Sequence, residues 1–159
     1  LSGETGESYT PTEAEKYYVI ATNTKDDVNG NKTAQTKSTE CTVSAKTTIT
    51  NGNASLTITA PAKDATVAGS KVTGTGVNQK SITWENSATG NDPWSNFSDA
   101  NFAATTYYRA TVVLTANEGY VFGDTASYSS LTVTNAQTVK ASVSNNELTL
   151  VLTFAVTGS

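Results

Sequence analysis

The sequence predicts an all-β protein built around a β-sandwich, and three observations support this fold class. Strand-like segments recur at intervals of roughly 8–12 residues and are separated by turns rich in Gly and Asn. No stretch of the sequence shows the period of an amphipathic helix. The third observation is a long segment, residues 106–123, in which apolar and polar side chains alternate as they do along a strand.

The segment 106–123 predicts the central strand of the sandwich. Its first half places small and large apolar residues on one face and mostly polar residues on the other. We therefore expect one face to lie on the core and the other in water. The residues expected in the core are Tyr108, Ala110, Val112 and Leu114. Gly119 then turns the chain, because glycine readily adopts the positive φ of a tight turn.

The chain before residue 54 predicts a small hairpin unit. Residues 1–15 are polar and rich in turn-forming residues. Strands are predicted at 16–23 and 32–45, with Asn29–Gly30 as the turn signal between them. Residues 47–53 are predicted to be a linker or crossing segment. Because a lone hairpin is only marginally stable in water, we expect this unit to pack on something else.

The chain from residue 54 onwards has the size of one complete sandwich. Besides the central strand, the alternating pattern predicts strands at 54–60, 71–77, 81–85, 127–134, 138–144 and 147–157. A hairpin turn is predicted at 144–147, and residues 86–104 are predicted to be a long loop. Trp84 is expected in the core, where a large aromatic side chain contributes most to packing.

The composition argues against several functional classes. The formal net charge of −4 disfavours nucleic-acid binding, which requires a basic surface. No apolar run reaches the ~18 residues of a membrane span. The sequence contains no His, which removes the usual general base and the commonest transition-metal ligand. We therefore expect no enzyme activity, no catalytic residues, no metal or cofactor, no nucleic-acid partner and no membrane insertion.

Smaller features carry weaker expectations. The oxygen-bearing side chains of Asp26, Asp27, Asn29 and Asn31 are too few for a Ca²⁺ site, so a solvated loop is favoured. Cys41 is the single cysteine and cannot form an intramolecular disulfide. It is expected to be a small strand residue, with an intermolecular bridge as the alternative. Since the chain starts at Leu1 without a signal-peptide pattern, we expect it to be a piece of a longer chain.

Residues 54–157 contain a series of motifs, namely Ile82-Thr83-Trp84, Asn101-Phe102-Ala103, Tyr107, Val112-Val113-Leu114-Thr115-Ala116 and Gly119-Tyr120-Val121-Phe122. On these motifs the segment resembles a repeat domain that occurs in tandem in large bacterial surface and S-layer-associated proteins. The opening segment 58–61 and the closing segment 151–154 fit the same repeat.

Residues 1–46 contain a second set of motifs, namely Tyr9-Thr10-Pro11, Tyr17-Tyr18-Val19, Thr22-Asn23-Thr24, Thr33-Ala34, Ser38 and Cys41-Thr42-Val43. On these motifs the segment is similar to the last strands of a bacterial immunoglobulin-like domain, which is incomplete without its earlier strands. Together the two resemblances imply an immunoglobulin-like β-sandwich at 54–159 and a partial immunoglobulin-like unit before it. They imply a structural or adhesive module of an extracellular bacterial surface protein, a stalk or adhesin repeat, with neighbouring domains or copies of itself as partners.

Two alternative functions stay open. In the first, the chain is a filament or pilus-like subunit that assembles by strand complementation, because an unpaired strand edge invites pairing with another chain. The strand-pairing residues would be Tyr17, Val19, Ile20 and Val43. In the second, the chain is a carbohydrate-binding module that presents aromatic side chains in and around the loop 86–104 to host or environmental glycans. The ligand-binding residues would be Trp94, Phe97 and Tyr120, with Trp94 the best single candidate because loops often carry binding residues.

Overall fold

The computed structural model describes residues 8, 10, 11, 13–25, 30 and 32–159. Its contacts divide the chain into two compact units, residues 1–45 and 46–159. The described residues form strands and short 3₁₀ turns, with no α-helix among them. The protein is therefore all-β, as the sequence predicted, with several sheets in an arrangement consistent with a β-sandwich.

The described part of the first unit consists of two small antiparallel strand pairs. Its strands are β1 (Lys16–Tyr17), β2 (Ile20–Lys25), β3 (Lys32–Lys37) and β4 (Cys41–Thr42). β1 pairs with β4, and β2 pairs with β3. No described residue of this unit is buried, so within that part of the chain it has no core. The predicted turn residue Asn29 and the oxygen-bearing residues Asp26, Asp27 and Asn31 lie outside the described residues.

The second unit is built from longer strands that share one core. They are β5 (Thr47–Ile49), β6 (Leu56–Ile58), β7 (Val72–Thr73), β8 (Val77–Ser87), β9 (Ser95–Phe97), β10 (Tyr107–Ala116), β11 (Tyr120–Phe122), β12 (Val133–Thr134), β13 (Thr138–Ser144) and β14 (Glu147–Thr153). Two 3₁₀ turns occur at Val67–Gly69 and Thr125–Tyr128.

One layer of the second unit is a five-stranded antiparallel sheet in the order β13-β14-β10-β8-β9. β10 lies at its centre, and the prediction for its inner face is confirmed: Tyr108, Ala110, Val112 and Leu114 are 0% exposed. Its partner β14 contributes three leucines to the same face, namely Leu148, Leu150 and Leu152, all 0% exposed. The register between β8 and β10 shifts beside Val113, where Lys80 is the extra residue of a β-bulge.

The other side of the core comes from a three-stranded sheet in the order β12-β6-β7. β6 pairs with β12 in parallel and with β7 antiparallel. Its buried residues Leu56 and Ile58 join one hydrophobic cluster with the inner face of β10. A parallel two-stranded pair, β5 with β11, adds Ile49 and Phe122 to the cluster. Two layers around one core are the basis for describing the unit as sandwich-like.

An aromatic cluster fills the end of the core near the start of β10. Trp84 is 4% exposed, which confirms its prediction as a core residue. Its ring centroid lies 4.8 Å from that of Phe102 and 5.5 Å from that of Phe154. The Phe102 ring meets Tyr108 edge-on at 4.8 Å. Edge-to-face contacts of this kind contribute about 0.5–1.5 kcal/mol each beyond the area they bury.

Several element boundaries differ from those predicted. Residues 47–49 of the predicted linker form β5 inside the second unit, paired with Tyr120–Phe122. The predicted strands at 71–77 and 81–85 are instead the short β7 and the long β8, because the chain turns at 74–76. The predicted loop 86–104 contains β9, which pairs with β8.

The predicted strand at 127–134 begins instead as a 3₁₀ turn. Asp124 caps this turn by accepting a hydrogen bond from the Ser127 amide at 3.0 Å. The Tyr128 hydroxyl, buried beneath it, donates to the Ile49 carbonyl oxygen. The last strand ends at Thr153 rather than at residue 157. Val156, which falls within the predicted strand, is 42% exposed because it lies beyond the sheet.

Candidate functional site

Phe97 does not belong to an exposed aromatic platform. Although it lies in the predicted loop, β9 pairs Phe97 with Trp84 across the sheet. Its ring stacks on Phe102 at 5.9 Å and meets Tyr108 at 4.9 Å. Phe97 is thus a partly buried residue that extends the aromatic core, and its ring is occupied by neighbours rather than available to a ligand.

Tyr120 also lies apart from Trp94. Its ring packs over Gly76, so closely that a Cβ added at Gly76 would lie 2.5 Å from the ring. This contact is at the end of β10 that carries Ala116, whereas Trp94 lies beside Arg109 near the other end. Seven residues of strand separate these two positions, a distance of ~23 Å. The structure therefore does not bring Trp94, Phe97 and Tyr120 together.

Trp94 instead forms a site with two charged residues of the sheet. The guanidinium carbon of Arg109 lies 4.7 Å from the centroid of the indole ring, a cation–π contact. Arg109 Nε donates a hydrogen bond to Glu85 Oε2 at 2.7 Å. The sheet register produces this ion pair, because Arg109 and Glu85 are direct cross-strand partners on the outer face of β10 and β8.

The electrostatics of this site favour a permanently charged Arg109. The hydrogen bond that Arg109 donates to Glu85 raises the pKa of Arg109 above its ordinary value, and the negative charges of Glu85 and Asp92 act in the same direction. Burial opposes these effects. Arg109 is therefore held in position as a cation between a carboxylate and an aromatic ring.

The loop that carries Trp94 is fixed by a buried serine. Ser87 Oγ donates to the Asn91 carbonyl oxygen at 2.8 Å and accepts from the amides of Thr89 and Gly90 at 3.2 Å. Gly90 has φ +77 and packs against the ring of Tyr107. These contacts tie residues 87–91 to the sheet, and Trp94 follows three positions after Asn91.

A shallow cleft of about 470 Å³ lies beside Trp94 on the outer face of the five-stranded sheet. We call it the Trp94 cleft. It is lined by Gly90, Asn91, Asp92, Trp94, Arg109, Thr138, Lys140, Val151 and Thr153. The sequence prediction found Trp94 but missed Arg109 and Lys140. Both occupy outward positions of predicted strands, but no local pattern shows that β10 and β13 flank the same strand, β14.

The predicted strand-pairing residues lie in the first unit. Tyr17 is in β1, opposite Cys41 of β4, and Val43 is partly buried just beyond β4. Val19 is 69% exposed and Ile20 is 49% exposed. Tyr18, which the prediction omitted, is 49% exposed and carries the Lys37 ammonium 3.7 Å from its ring centroid. Residues 18–20 thus form a small exposed apolar patch.

Within the described part of the chain, no cluster of three or more His, Cys, Asp or Glu residues is placed to hold a metal ion. Over the same residues, no helix is long and apolar enough to cross a membrane. Cys41 is exposed with a free thiol.

Comparison of the chain with family models, with curated proteins and with solved structures gave no match. The resemblances to a surface-protein repeat and to an immunoglobulin-like domain therefore stay predictions.

Proposed function

We propose that this chain is a structural module of an extracellular bacterial surface protein, a stalk or adhesin repeat that transmits tension. The observation that supports this proposal is the position of the segments at the two ends of the second unit. The amide of Thr47 donates to the Gly119 carbonyl oxygen at 2.8 Å, and the amide of Thr157 donates to the Thr106 carbonyl oxygen at 3.0 Å.

These two attachments lie at opposite ends of the central strand. Gly119 lies in the turn after β10, three positions beyond its last residue, and Thr106 directly precedes its first residue. A strand of 10 residues spans ~33 Å. Tension on the segments before Thr47 and after Thr157 therefore acts along β10, as it would in domains joined end to end.

The strand that leads out of the unit is suited to this load. β14 pairs with β10 on one side and with β13 on the other, over seven residues in each case. Force along β10 pulls β14 parallel to its own axis, so many hydrogen bonds must break together. Force applied across the same strands would instead break them one pair at a time.

Pulling on single molecules tests this proposal. One variant carries attachment points at Lys46→Cys and Ser159→Cys, and its matched control carries Lys46→Cys and Ser144→Cys; both also carry Cys41→Ser. Ser144 lies in the hairpin opposite Glu147, at the same end of the unit as Thr47. We expect the end-to-end variant to unfold at a clearly higher force. Equal forces would contradict a load-bearing design.

The proposal also places the protein outside the cell. Antibodies raised against the chain should label intact cells of its source organism as strongly as permeabilised cells. Labelling that requires permeabilisation would contradict an extracellular location.

A filament subunit is a second candidate, favoured by the exposed patch at residues 18–20 and the absence of buried residues in the described part of the first unit. Such a patch next to short strands offers a surface for pairing with a neighbour. Light scattering over a range of concentrations should then show polymers that Val19→Lys with Ile20→Lys abolishes. The exposed Thr22→Lys on the same strand is the control. A monomer at all concentrations would exclude assembly of this chain alone.

A further inference from the structure

We propose that the Trp94 cleft binds a pyranose unit of a saccharide, with the sugar ring stacked on the exposed part of the Trp94 indole. This inference goes beyond the structural function and does not depend on it, because the cleft is formed by outward-facing side chains, whereas the proposed load is carried by backbone hydrogen bonds. It replaces the predicted platform of Trp94, Phe97 and Tyr120, which the structure does not assemble, with a different set of residues.

The aromatic wall of the cleft is partly open to solvent. Arg109 covers one face of the indole at 4.7 Å, and the side chain of Trp94 stays partly exposed. A pyranose ring presents C–H groups on one of its faces, and these carry partial positive charge. The negative face of an indole attracts such groups as it attracts the edge of another ring. Trp94 therefore offers a surface for a sugar ring.

The polar groups of the cleft match a ligand that both donates and accepts hydrogen bonds. Asn91 and Asp92 supply acceptor oxygens, and Lys140 supplies donors. Among the described residues, no ion pair involves Lys140, whereas Arg109 is already paired with Glu85. A sugar carries several hydroxyls that serve in either role, so it can satisfy both kinds of group.

The distribution of charge disfavours a simple anion as the ligand. Arg109 is neutralised by Glu85, and Asp92 lies close enough to act on the pKa of Arg109. A phosphate or sulfate at the Trp94 cleft would therefore face the carboxylate of Asp92, while a neutral saccharide would not. The charges favour a polyhydroxylated ligand with little net charge.

The cleft is also rigid before any ligand arrives. Arg109 is fixed by its hydrogen bond to Glu85 at 2.7 Å, and the loop before Trp94 is fixed by Ser87. On the far side of the cleft, the hydroxyls of Thr138 and Thr153 are hydrogen-bonded to each other. A preformed site loses little conformational freedom on binding, which favours measurable affinity even for a small contact area.

Titration of the full chain with short oligosaccharides, followed by ¹H–¹⁵N NMR spectroscopy, tests the proposal. The probes are soluble oligomers of glucose, mannose, N-acetylglucosamine and galacturonic acid, each at millimolar concentration. We expect at least one neutral oligomer to shift the indole N–H resonance of Trp94 and the backbone resonances of Arg109 and Lys140. Trp94→Ala should weaken this binding about tenfold or more, equivalent to ~1.4 kcal/mol.

Two matched variants separate stacking from loss of structure. Trp94→Tyr keeps an aromatic face and should retain most of the affinity. Thr149→Ala, on the outer face of β14 but outside the cleft, should leave affinity unchanged. The unliganded spectrum of each variant checks that the fold is intact.

Three results would overturn the proposal. One is that no probe shifts the resonances of Trp94, Arg109 and Lys140. Another is that shifts occur but are the same in Trp94→Ala. The last is that only the galacturonic acid oligomer binds and that Lys140→Ala, but not Trp94→Ala, removes the binding. That pattern would define an anion site without sugar stacking.

Discussion

Replacing Tyr108 with Phe tests whether one buried hydroxyl holds the segment before β10 against the core. Tyr108 is 0% exposed, and its hydroxyl oxygen accepts a hydrogen bond from the Ala103 amide at 2.8 Å. Phe preserves the ring contacts with Phe97 and Phe102 but leaves the Ala103 amide without its acceptor. An unsatisfied buried donor costs about 1–3 kcal/mol. Because Ala103 itself is exposed, water compensates in part, and we expect a loss of ~1 kcal/mol.

Urea unfolding monitored by tryptophan fluorescence measures this loss. With a slope of ~2 kcal/mol/M, a loss of ~1 kcal/mol lowers the midpoint by about 0.5 M. In a thermal melt the same loss lowers the midpoint of the second unit by about 4 °C. Tyr107→Phe is the matched control, because Tyr107 points to the other face of β10, and we expect it to change stability by less than ~0.5 kcal/mol. Equal midpoints for wild type and Tyr108→Phe would refute the role assigned to the hydroxyl.

Two further predictions concern a glycine and a buried tyrosine. Gly76→Ala should destabilise the second unit by more than Gly119→Ala. Both glycines have positive φ, which costs Ala ~1–2 kcal/mol, but only at Gly76 would the new Cβ also meet the ring of Tyr120. Equal losses of unfolding free energy for the two variants, measured by urea unfolding, would contradict this prediction. Burial raises the pKa of Tyr128 above its ordinary value, which is about 10. The stability contributed by the neutral, buried phenol is therefore fully present below about pH 10 and declines as the pH rises towards the raised pKa. Tyr128→Phe should be less stable than wild type at neutral pH, because it loses the hydrogen bond to the Ile49 carbonyl. In urea unfolding at alkaline pH its stability should fall less steeply with pH than that of wild type. Parallel pH profiles for the two proteins would contradict the raised pKa of Tyr128.

Three strands of the five-stranded sheet, namely β10, β13 and β14, were predictable because each carries its own periodic signal. By contrast, β9 lies in the predicted loop and β8 was predicted only in part. In β10 and β14, apolar residues recur at every second position and are buried on one face. The turn between β13 and β14 is equally local, since Asn145 and Asn146 both adopt positive φ, as a tight two-residue hairpin turn requires. Alternation and turn chemistry act over a few residues, so a single sequence displays them directly.

The pairing of distant strands was not predictable, because it leaves no local pattern. β5 is three residues long and lies in a segment with turn-forming Asn and Gly, so its sequence resembles a linker. Its partner β11 is more than 70 positions away. For the same reason the candidate site was found only in part. Trp94 is conspicuous in the sequence, but Arg109 and Lys140 become its neighbours only through the order of the strands in the sheet.

The parallel pairs also constrain when this protein can acquire its native structure. Leu56 of β6 finds its partner Val133 only after about 77 more residues have been made, which takes about 4–15 s at ~5–20 residues per second. Contacts this remote in sequence form slowly, on a scale of milliseconds to seconds. During synthesis, β6 therefore stays without its parallel partner β12 until the later part of the second unit has been made. The core of the second unit is therefore completed only after its C-terminal strands have been synthesised.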